Sequence, residues 1–469
     1  WVAEHPRAAR RLVFGQALAG DARAGDSARP TRAAARERAA ALASADDPGP
    51  IRPAPRVEIG PDGLPTRFHL GINEAVSVPM KARNEGRLGP GGLEGHLRRD
   101  AQRAVDLGAR FVRGNSGAFP RTSWWSHQNE PGAAADTDTW VRVVQEYGLE
   151  PILMVSPWPG NRTANHTERY VPDDMAAYTA WVSALVERYD HDGVDDMPGL
   201  AAPIRYWEVD NEPDLKFTTA PRDAVREVAP GSFCSPAEAA KVLVATSAAI
   251  RKSHAEAQIL NGGIYRPFAE SGQDYLRELL AQPGVPTSFD ILSLHTYASD
   301  EFGDFYARGL RAARELAGGK PIFVTETSVA SEGERRWMTP EWQARMVASA
   351  AARGAAAGAR VVLWHTLADP PSDSRLRSGF ERHSLLSQGA EGRFVEKPAA
   401  AVYRHLSERI SANDLTGAHD DGVGAARTQA GAFLVYANSR EAPKGGINLM
   451  DGSQILPETT AVAPAWIWP

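Results

Sequence analysis

Two glutamates stand where short apolar runs give way to polar residues. Glu212 closes Tyr206-Trp207-Glu208-Val209-Asp210-Asn211-Glu212-Pro213, and Glu326 closes Phe323-Val324-Thr325-Glu326. Two carboxyl groups brought to one mouth of a fold can act on a single bond. One protonates the leaving oxygen, and the other attacks or activates water. That pairing suits cleavage of a glycosidic bond: carboxyls ~5–5.5 Å apart give retention of anomeric configuration, and ~6.5–9.5 Å gives inversion. Other runs also end in polar or aromatic residues: Val112-Arg113-Gly114-Asn115, Ser293-Leu294-His295-Thr296-Tyr297 and Leu363-Trp364-His365. His295 and Tyr297, two apart, share one face of a strand.

Positioning such residues requires a frame, and the chain supplies one from about residue 67. Short apolar runs recur at Phe68–Ile72, Phe111–Arg113, Pro151–Val155, Ile204–Val209, Gln258–Leu260, Phe289–Leu294, Pro321–Thr325 and Arg360–Trp364. Each is nearly continuously apolar, as parallel strands buried on both faces are. Helical stretches lie between them. Met175, Tyr178, Val182, Leu185 and Tyr189 fall on one helix face. Ser235-Pro236-Ala237-Glu238 is a capping box with proline at the first helical position, and Thr339-Pro340 opens another helix. Gly108, Gly148, Gly319 and Gly358 mark helix ends just before strands. Eight strands alternating with helices close into an α/β fold, the (β/α)8 TIM barrel, whose active residues sit at the C-terminal strand ends. An open doubly wound sheet would show a glycine-rich loop after the first strand, and Gly71-Ile72-Asn73-Glu74-Ala75 has none. The expected organisation is a helical N-terminal extension over 1–50, a connector or edge strand over 51–66, the catalytic barrel over 67–411, and a small C-terminal β unit over 412–469. A strand from 51–60 is expected to complete that unit.

Asn211-Glu212-Pro213 closing the fourth strand, with Glu326 closing the seventh, resembles the clan of retaining barrel glycosidases that includes cellulases, mannanases, β-xylosidases and iduronidases. The resemblance spans about residues 67–411. It implies Glu212 as general acid/base, Glu326 as nucleophile, and Asn211 as the holder of a sugar 2-hydroxyl. It further implies that Tyr297 bonds the nucleophile, that His295 lies near the site, and that Arg113 keeps the nucleophile ionised. Trp364 would floor the cleaved sugar. Tyr206-Trp207-Glu208-Val209 before the motif is similar to family 39, the β-xylosidase and iduronidase group. Asp210 departs from that pattern, where tryptophan is common, and resembles some family 44 endoglucanases.

The rest of the sequence bounds the reading. Net charge is −6 and no basic block follows the Arg/Ala-rich N-terminus, which argues against a nucleic-acid partner. The one cysteine, Cys234, excludes an intramolecular disulfide and a cysteine-based zinc site. No apolar run reaches the ~18–20 residues of a membrane span. The chain begins at Trp1 rather than Met, so a removed leader or a trimmed start is expected, and with it an exported protein, secreted or periplasmic. Trp124, Trp125, Trp158 and Trp337 lie in strand-end loops and offer flat faces for an oligo- or polysaccharide, or else cover the core. Arg113, Arg162 and His127 would suit a uronic carboxylate or local ion pairs. Asp190, Asp192, Val194 and Asp196, around Gly193, read as a structural calcium loop or as a solvated acidic turn. No cofactor is expected in catalysis. Two other readings are a degenerate barrel that only binds carbohydrate and a metal-dependent barrel enzyme; His69, alone in Phe68-His69-Leu70, offers no His-x-His for the latter.

Overall fold

A computed structural model describes residues from 50 onward, except 78–87, 89, 115–118, 158–170, 215–233, 266, 268, 298–303, 334–337, 370–381, 389–393 and most residues between the strands after 420. The expected helical extension over 1–50, Trp158, Trp337 and Arg162 therefore lie outside the described residues.

Eight parallel strands form the barrel: β1 (His69–Asn73), β2 (Phe111–Arg113), β3 (Glu150–Val155), β4 (Tyr206–Asn211), β5 (Gln258–Gly263), β6 (Leu292–His295), β7 (Ile322–Thr327) and β8 (Ala359–His365). All eight fall on the apolar runs. The hydrogen-bonded order is β5-β4-β3-β2-β1-β8-β7-β6, so β1 pairs with β8 and the break lies between β5 and β6. That seam is bridged at Leu260–Ile291 and Ile264–Leu294. The Asn261 side chain spans it too: its Nδ2 donates to Ser293 O at 3.2 Å and its Oδ1 accepts from Ser293 N at 2.9 Å. A side-chain amide here does the work of a backbone peptide.

Helices α1 (Gly92–Asp106), α2 (Trp124–Asn129), α3 (Ala133–Glu146), α4 (Met175–Glu187), α5 (Pro236–Ser253), α6 (Glu270–Leu280), α7 (Val285–Ser288), α8 (Asp304–Leu316) and α9 (Pro340–Ala356) lie between the strands, and α10 (Pro398–Ala412) follows them. The local signals act as expected. Ser235 Oγ accepts from Glu238 N while Glu238 accepts from Ser235 N at 2.9 Å. Thr339 Oγ1 accepts from Trp342 N at 3.1 Å. The four helix-end glycines all take positive φ.

Strand alternation sorts the core into two regions. Ile72, Val112, Leu153, Trp207, Ile259, Leu292, Val324 and Val362 face the helices. Phe111, Ile152, Tyr206, Leu260, Ile291, Phe323, Val361 and Leu363 fill the barrel interior. Gly71 is inward on β1, where a Cβ would come within 2.5 Å of Phe111 O; glycine lets that ring occupy the axis.

The connector over 51–66 makes one bridge, Ile59–Pro65, and no strand. It does not join the C-terminal sheet. Instead Leu64 enters the inner core, Val57 and Ile59 pack against it, and Tyr206 donates to Gly63 O at 2.9 Å. Burying a leucine at the open N-terminal mouth outweighs an exposed edge pairing for this proline-rich stretch. Between β8 and α10, β9 (Leu386–Gln388) and β10 (Phe394–Glu396) pair antiparallel. Beyond α10 come β11 (His419–Asp420), β12 (Ala425–Arg427), β13 (Phe433–Val435), β14 (Lys444–Asn448), β15 (Gln454–Thr460) and β16 (Ala465–Ile467), which form an antiparallel sheet in the order β11-β12-β13-β16-β14-β15.

Candidate active site

A regular strand cannot aim consecutive side chains at one point. Both glutamates are delivered by departures from regularity. On β4, Asp210 has φ 72° and Glu212 φ 48°. These left-handed residues bracket Asn211, so Asn211 and Glu212 both reach the site. Asp210 turns aside to accept from Ser156 Oγ at 3.0 Å. Aspartate is among the few non-glycine residues that adopt this backbone region readily, which gives a physical reason for it here. On β7 the pairing registers with both neighbours shift around Glu326. The irregularity lets Thr325 and Glu326 both project inward.

The two carboxylates meet with His295. One ligand atom from each of Glu212, His295 and Glu326 lies within 4.8 Å of the others. His295 Nδ1 is 2.8 Å from Glu212 Oε1 and 3.6 Å from Glu326 Oε2. Tyr297 donates its hydroxyl to Glu326 Oε2. Arg113, completely buried, reaches Glu326 Oε1 through Nη1 at 2.8 Å and Asn211 Oδ1 through Nη2 at 2.8 Å. Its Nε pairs with Glu208, which is also wholly buried. Asn73 Oδ1 accepts from Arg113 Nη1 at 3.3 Å, so Asn73 Nδ2 faces His365 Nδ1, 2.8 Å away, as a donor.

These contacts push the two glutamates apart in acidity. Burial alone would raise Glu326, but His295, His365, Arg113 and the Tyr297 hydroxyl hold its pKa down at about 2. Burial raises Glu212 above the ordinary carboxylate range; His295 works against the shift and Glu326 reinforces it. Burial opposes the charge on Arg113, yet Glu208 and Glu326 hold its pKa above the ordinary value. Pairs of groups driven in opposite directions mark acid and base assignments.

Of the residues picked from the sequence, the structure gathers Glu212, Glu326, Arg113, Asn211, His295 and Tyr297. Trp364 does not join them. Its parity on β8 turns the indole to the helix side, where it is buried and donates to His383 O at 2.9 Å. His365, the next residue, takes the inward place, its ring 6.3 Å from that of Tyr297. Trp124 is buried against Tyr178 and Trp181, and one face stacks on His127 at 5.4 Å. His127 also stacks on Trp181 at 5.4 Å, so the three rings touch pairwise. Trp125 is half-buried on α2. In the acidic turn before β4, Asp190 and Asp192 come within 4.8 Å of Glu187, a residue outside the expected set. Asp196 accepts instead from the backbone of His191 and Gly193 at 2.9 and 2.8 Å, and Val194 is exposed.

Sequence reasoning did not single out Glu208, Ser293, Thr325, Gly263 or His365. Gly263 matters because a Cβ there would lie 2.1 Å from His295 Nε2. Gly263→Ala is therefore expected to displace the imidazole, costing at least ~10-fold in activity while the protein still folds. A variant with wild-type kcat/KM would show that the ring position is not critical.

A family model described as "Glycosyl hydrolase catalytic core" matches residues 198–353. That stretch contains Glu212, His295, Tyr297 and Glu326. The fold resembles a family 39 glycoside hydrolase from Bacteroides cellulosilyticus WH2 at 14% identity, TM-score 0.52, covering 87% of this chain and 80% of that one. An exo-β-1,4-mannosidase from Opitutaceae bacterium strain TAV5 is similar at 18% identity, TM-score 0.51, with coverage of 76% and 61%. A family 51 α-L-arabinofuranosidase from Bifidobacterium longum is similar at 14% identity, TM-score 0.51, with coverage of 84% and 86%. At such identities the likeness is one of fold. No curated protein matches the chain. The family-model match shows that residues 198–353 are similar to a glycosyl hydrolase catalytic core, and the solved structures share the fold.

Proposed function

We propose that this chain is a retaining glycoside hydrolase acting on β-linked oligo- or polysaccharides, with Glu326 as nucleophile and Glu212 as general acid/base. The observation that carries the reading is the approach of the two carboxylates, whose nearest oxygens lie within 4.8 Å. So close an approach is nearer the ~5–5.5 Å separation of the carboxyl groups in retaining enzymes than the ~6.5–9.5 Å of inverting ones.

In the first half-reaction Glu326 bonds to the anomeric carbon as the glycosidic bond breaks and Glu212 passes its proton to the departing oxygen. In the second, Glu212 takes a proton from water, the water oxygen bonds to the anomeric carbon, and Glu326 leaves as a carboxylate. Arg113 and Tyr297 keep Glu326 ionised and aimed. Asn211 gives its carbonyl oxygen to Arg113, so its NH2 group is the donor for a sugar hydroxyl. His365 stands beside Tyr297 on the inward face and takes the flooring position expected of Trp364.

The test is the anomeric configuration of the first product, followed by proton NMR during hydrolysis of an aryl β-glycoside. The expected product is the β-hemiacetal, which then mutarotates. Initial release of the α-anomer would overturn the double-displacement reading. No release from a panel of aryl glycosides would overturn the hydrolase itself.

A further inference from the structure

Beneath the paired carboxylates lies a layer of buried polar groups whose protons can be counted. Glu208 divides its two oxygens. Oε2 accepts from Arg113 Nε. Oε1 accepts from Ser293 Oγ and, at 3.0 Å, from Thr325 Oγ1. The two hydroxyls also touch each other at 2.6 Å. Thr325 Oγ1 then meets His295 Nε2 at 3.1 Å, and His295 Nδ1 meets Glu212 Oε1 at 2.8 Å. A continuous chain of contacts thus runs from Arg113 through Glu208, Thr325 and His295 to Glu212.

A hydroxyl has a single proton to donate, and a carboxylate only accepts. A hydrogen bond to a charged acceptor is roughly twice as strong as one between neutral groups. Ser293 and Thr325 therefore commit their protons towards Glu208, directly or through each other. Thr325 is left to face His295 as an acceptor, so Nε2 must carry the imidazole hydrogen. Burial works against a charge on His295, but Glu326 and Glu212 hold its pKa above the ordinary value. Nδ1 and Glu212 Oε1, 2.8 Å apart, therefore hold one proton between them. When that proton is on Glu212, the ring is neutral and turns a bare Nδ1 towards the carboxyl group. With the hydrogen on Nδ1 instead, the ring would donate to Glu212, stabilise its carboxylate and strip it of the proton it must give the leaving group.

We propose that Glu208, acting through Thr325, is a positioning residue that fixes His295 in its Nε2–H tautomer and so keeps the catalytic proton on Glu212. The proposal rests on the reading of Glu212 as general acid. It also explains how Glu212 works in the second half-reaction. Once its proton has gone to the glycosidic oxygen, the carboxylate faces a lone pair, which favours recapture of a proton from the attacking water. Around this pair stand Glu326 from β7, Arg113 from β2, Tyr297 past the end of β6 and Glu208 beneath; Glu74, after β1, and His365 from β8 complete the ring of titratable groups. Gly263 fits the same scheme, since it leaves room for the imidazole in this one orientation.

Thr325→Val tests the link without touching the Arg113–Glu208 pair. Valine offers Nε2 no acceptor, His295 shifts its hydrogen to Nδ1, and Glu212 loses its proton at lower pH. The alkaline limb of kcat/KM against pH is expected to move down by about one unit, roughly a tenfold loss on that side. The acid limb, set by Glu326, should move less than the alkaline limb, because Arg113 and Tyr297 still hold that carboxylate while His295 Nδ1 stands farther off at 3.6 Å. Thr325→Ser should restore the wild-type limb, and Thr325→Ala gives the same readout if valine is not accommodated. Glu208→Gln should shift the alkaline limb the same way, because its NH2 group would face the hydroxyls and release their protons. The double variant should move that limb no further than the larger single shift. An unmoved alkaline limb in Thr325→Val, with activity reduced equally at every pH, would overturn the proposal and leave the hydrolase reading standing. A wild-type protein inactive on all glycosides would overturn both.

Discussion

Glu326→Ala lowers kcat by ~10^4-fold or more on every glycoside the wild-type protein cleaves, with little effect on the fold. Loss of a nucleophile removes the covalent route outright and leaves only binding and polarisation by the remaining groups. The fold should survive because the partners of Glu326 have other attachments. Arg113 still pairs with Glu208 and donates to Asn211. His295 still holds Glu212 and Thr325. Circular dichroism and a denaturation midpoint near that of the wild type would establish that the loss is chemical. Turnover at the wild-type rate in a folded variant would end the assignment of Glu326.

Arg113→Met has the largest expected effect on stability. Arg113 is completely buried and is shared by Glu208, Glu326, Asn211 and Asn73. Methionine matches much of its length and none of its donors. Two buried carboxylates would then lose their common counter-charge. Breaking a buried pair from one side typically costs about 3–5 kcal/mol, because the surviving charge is left uncompensated. The sign on pH follows from the same loss. Glu326 is held at about 2 partly by Arg113, so without it the carboxylate protonates at higher pH. The acid limb of any residual kcat/KM profile should rise. Adding Glu208→Gln should recover part of the lost stability, since it removes one of the stranded charges. A denaturant series on the single and double variants checks both statements; a single variant as stable as the wild type would show that the cluster relaxes or admits water freely.

The barrel was legible because its strands are buried on both faces and so read as apolar runs between helices with clear caps and stops. The two glutamates that the fold brings together were legible as candidates because each interrupts such a run at its end. What escaped has a common physical origin. Alternation assigns faces only while a strand stays regular, and the site is built where β4 and β7 do not. Asp210 looked like an anomaly in a motif, but its backbone angle shows it shaping the turn that presents Asn211 and Glu212. Trp364 and His365 differ by one position, and register alone decides which faces the sugar side. Thr325 and Ser293 are ordinary strand residues by propensity, and only their contacts with Glu208 give them a role. Glu208 did carry a signal: a charge within an apolar strand, two positions after the inward Tyr206. Trp124 shows the converse, a ring that suits a sugar by type but is spent on packing.

The seam between β5 and β6 has a bearing on how this protein fails under heat. Seven of the strand junctions are continuous ladders, whereas the eighth is interrupted: two isolated bridges with their backbone hydrogen bonds, from Asp290 and Ile291 to Ile259 O, from Ile264 to Ser293 O and from His295 to Ile264 O, are joined by the Asn261 side chain. Its two edges carry Gly263 on one side and Ser293 and His295 on the other. Thermal breathing proceeds through local openings, and one at this interrupted junction would carry the imidazole away from Glu212 while the other ladders stay paired. Loss of activity below the melting temperature, recovered on cooling, is the outcome expected of a cylinder fastened beside its own working groups.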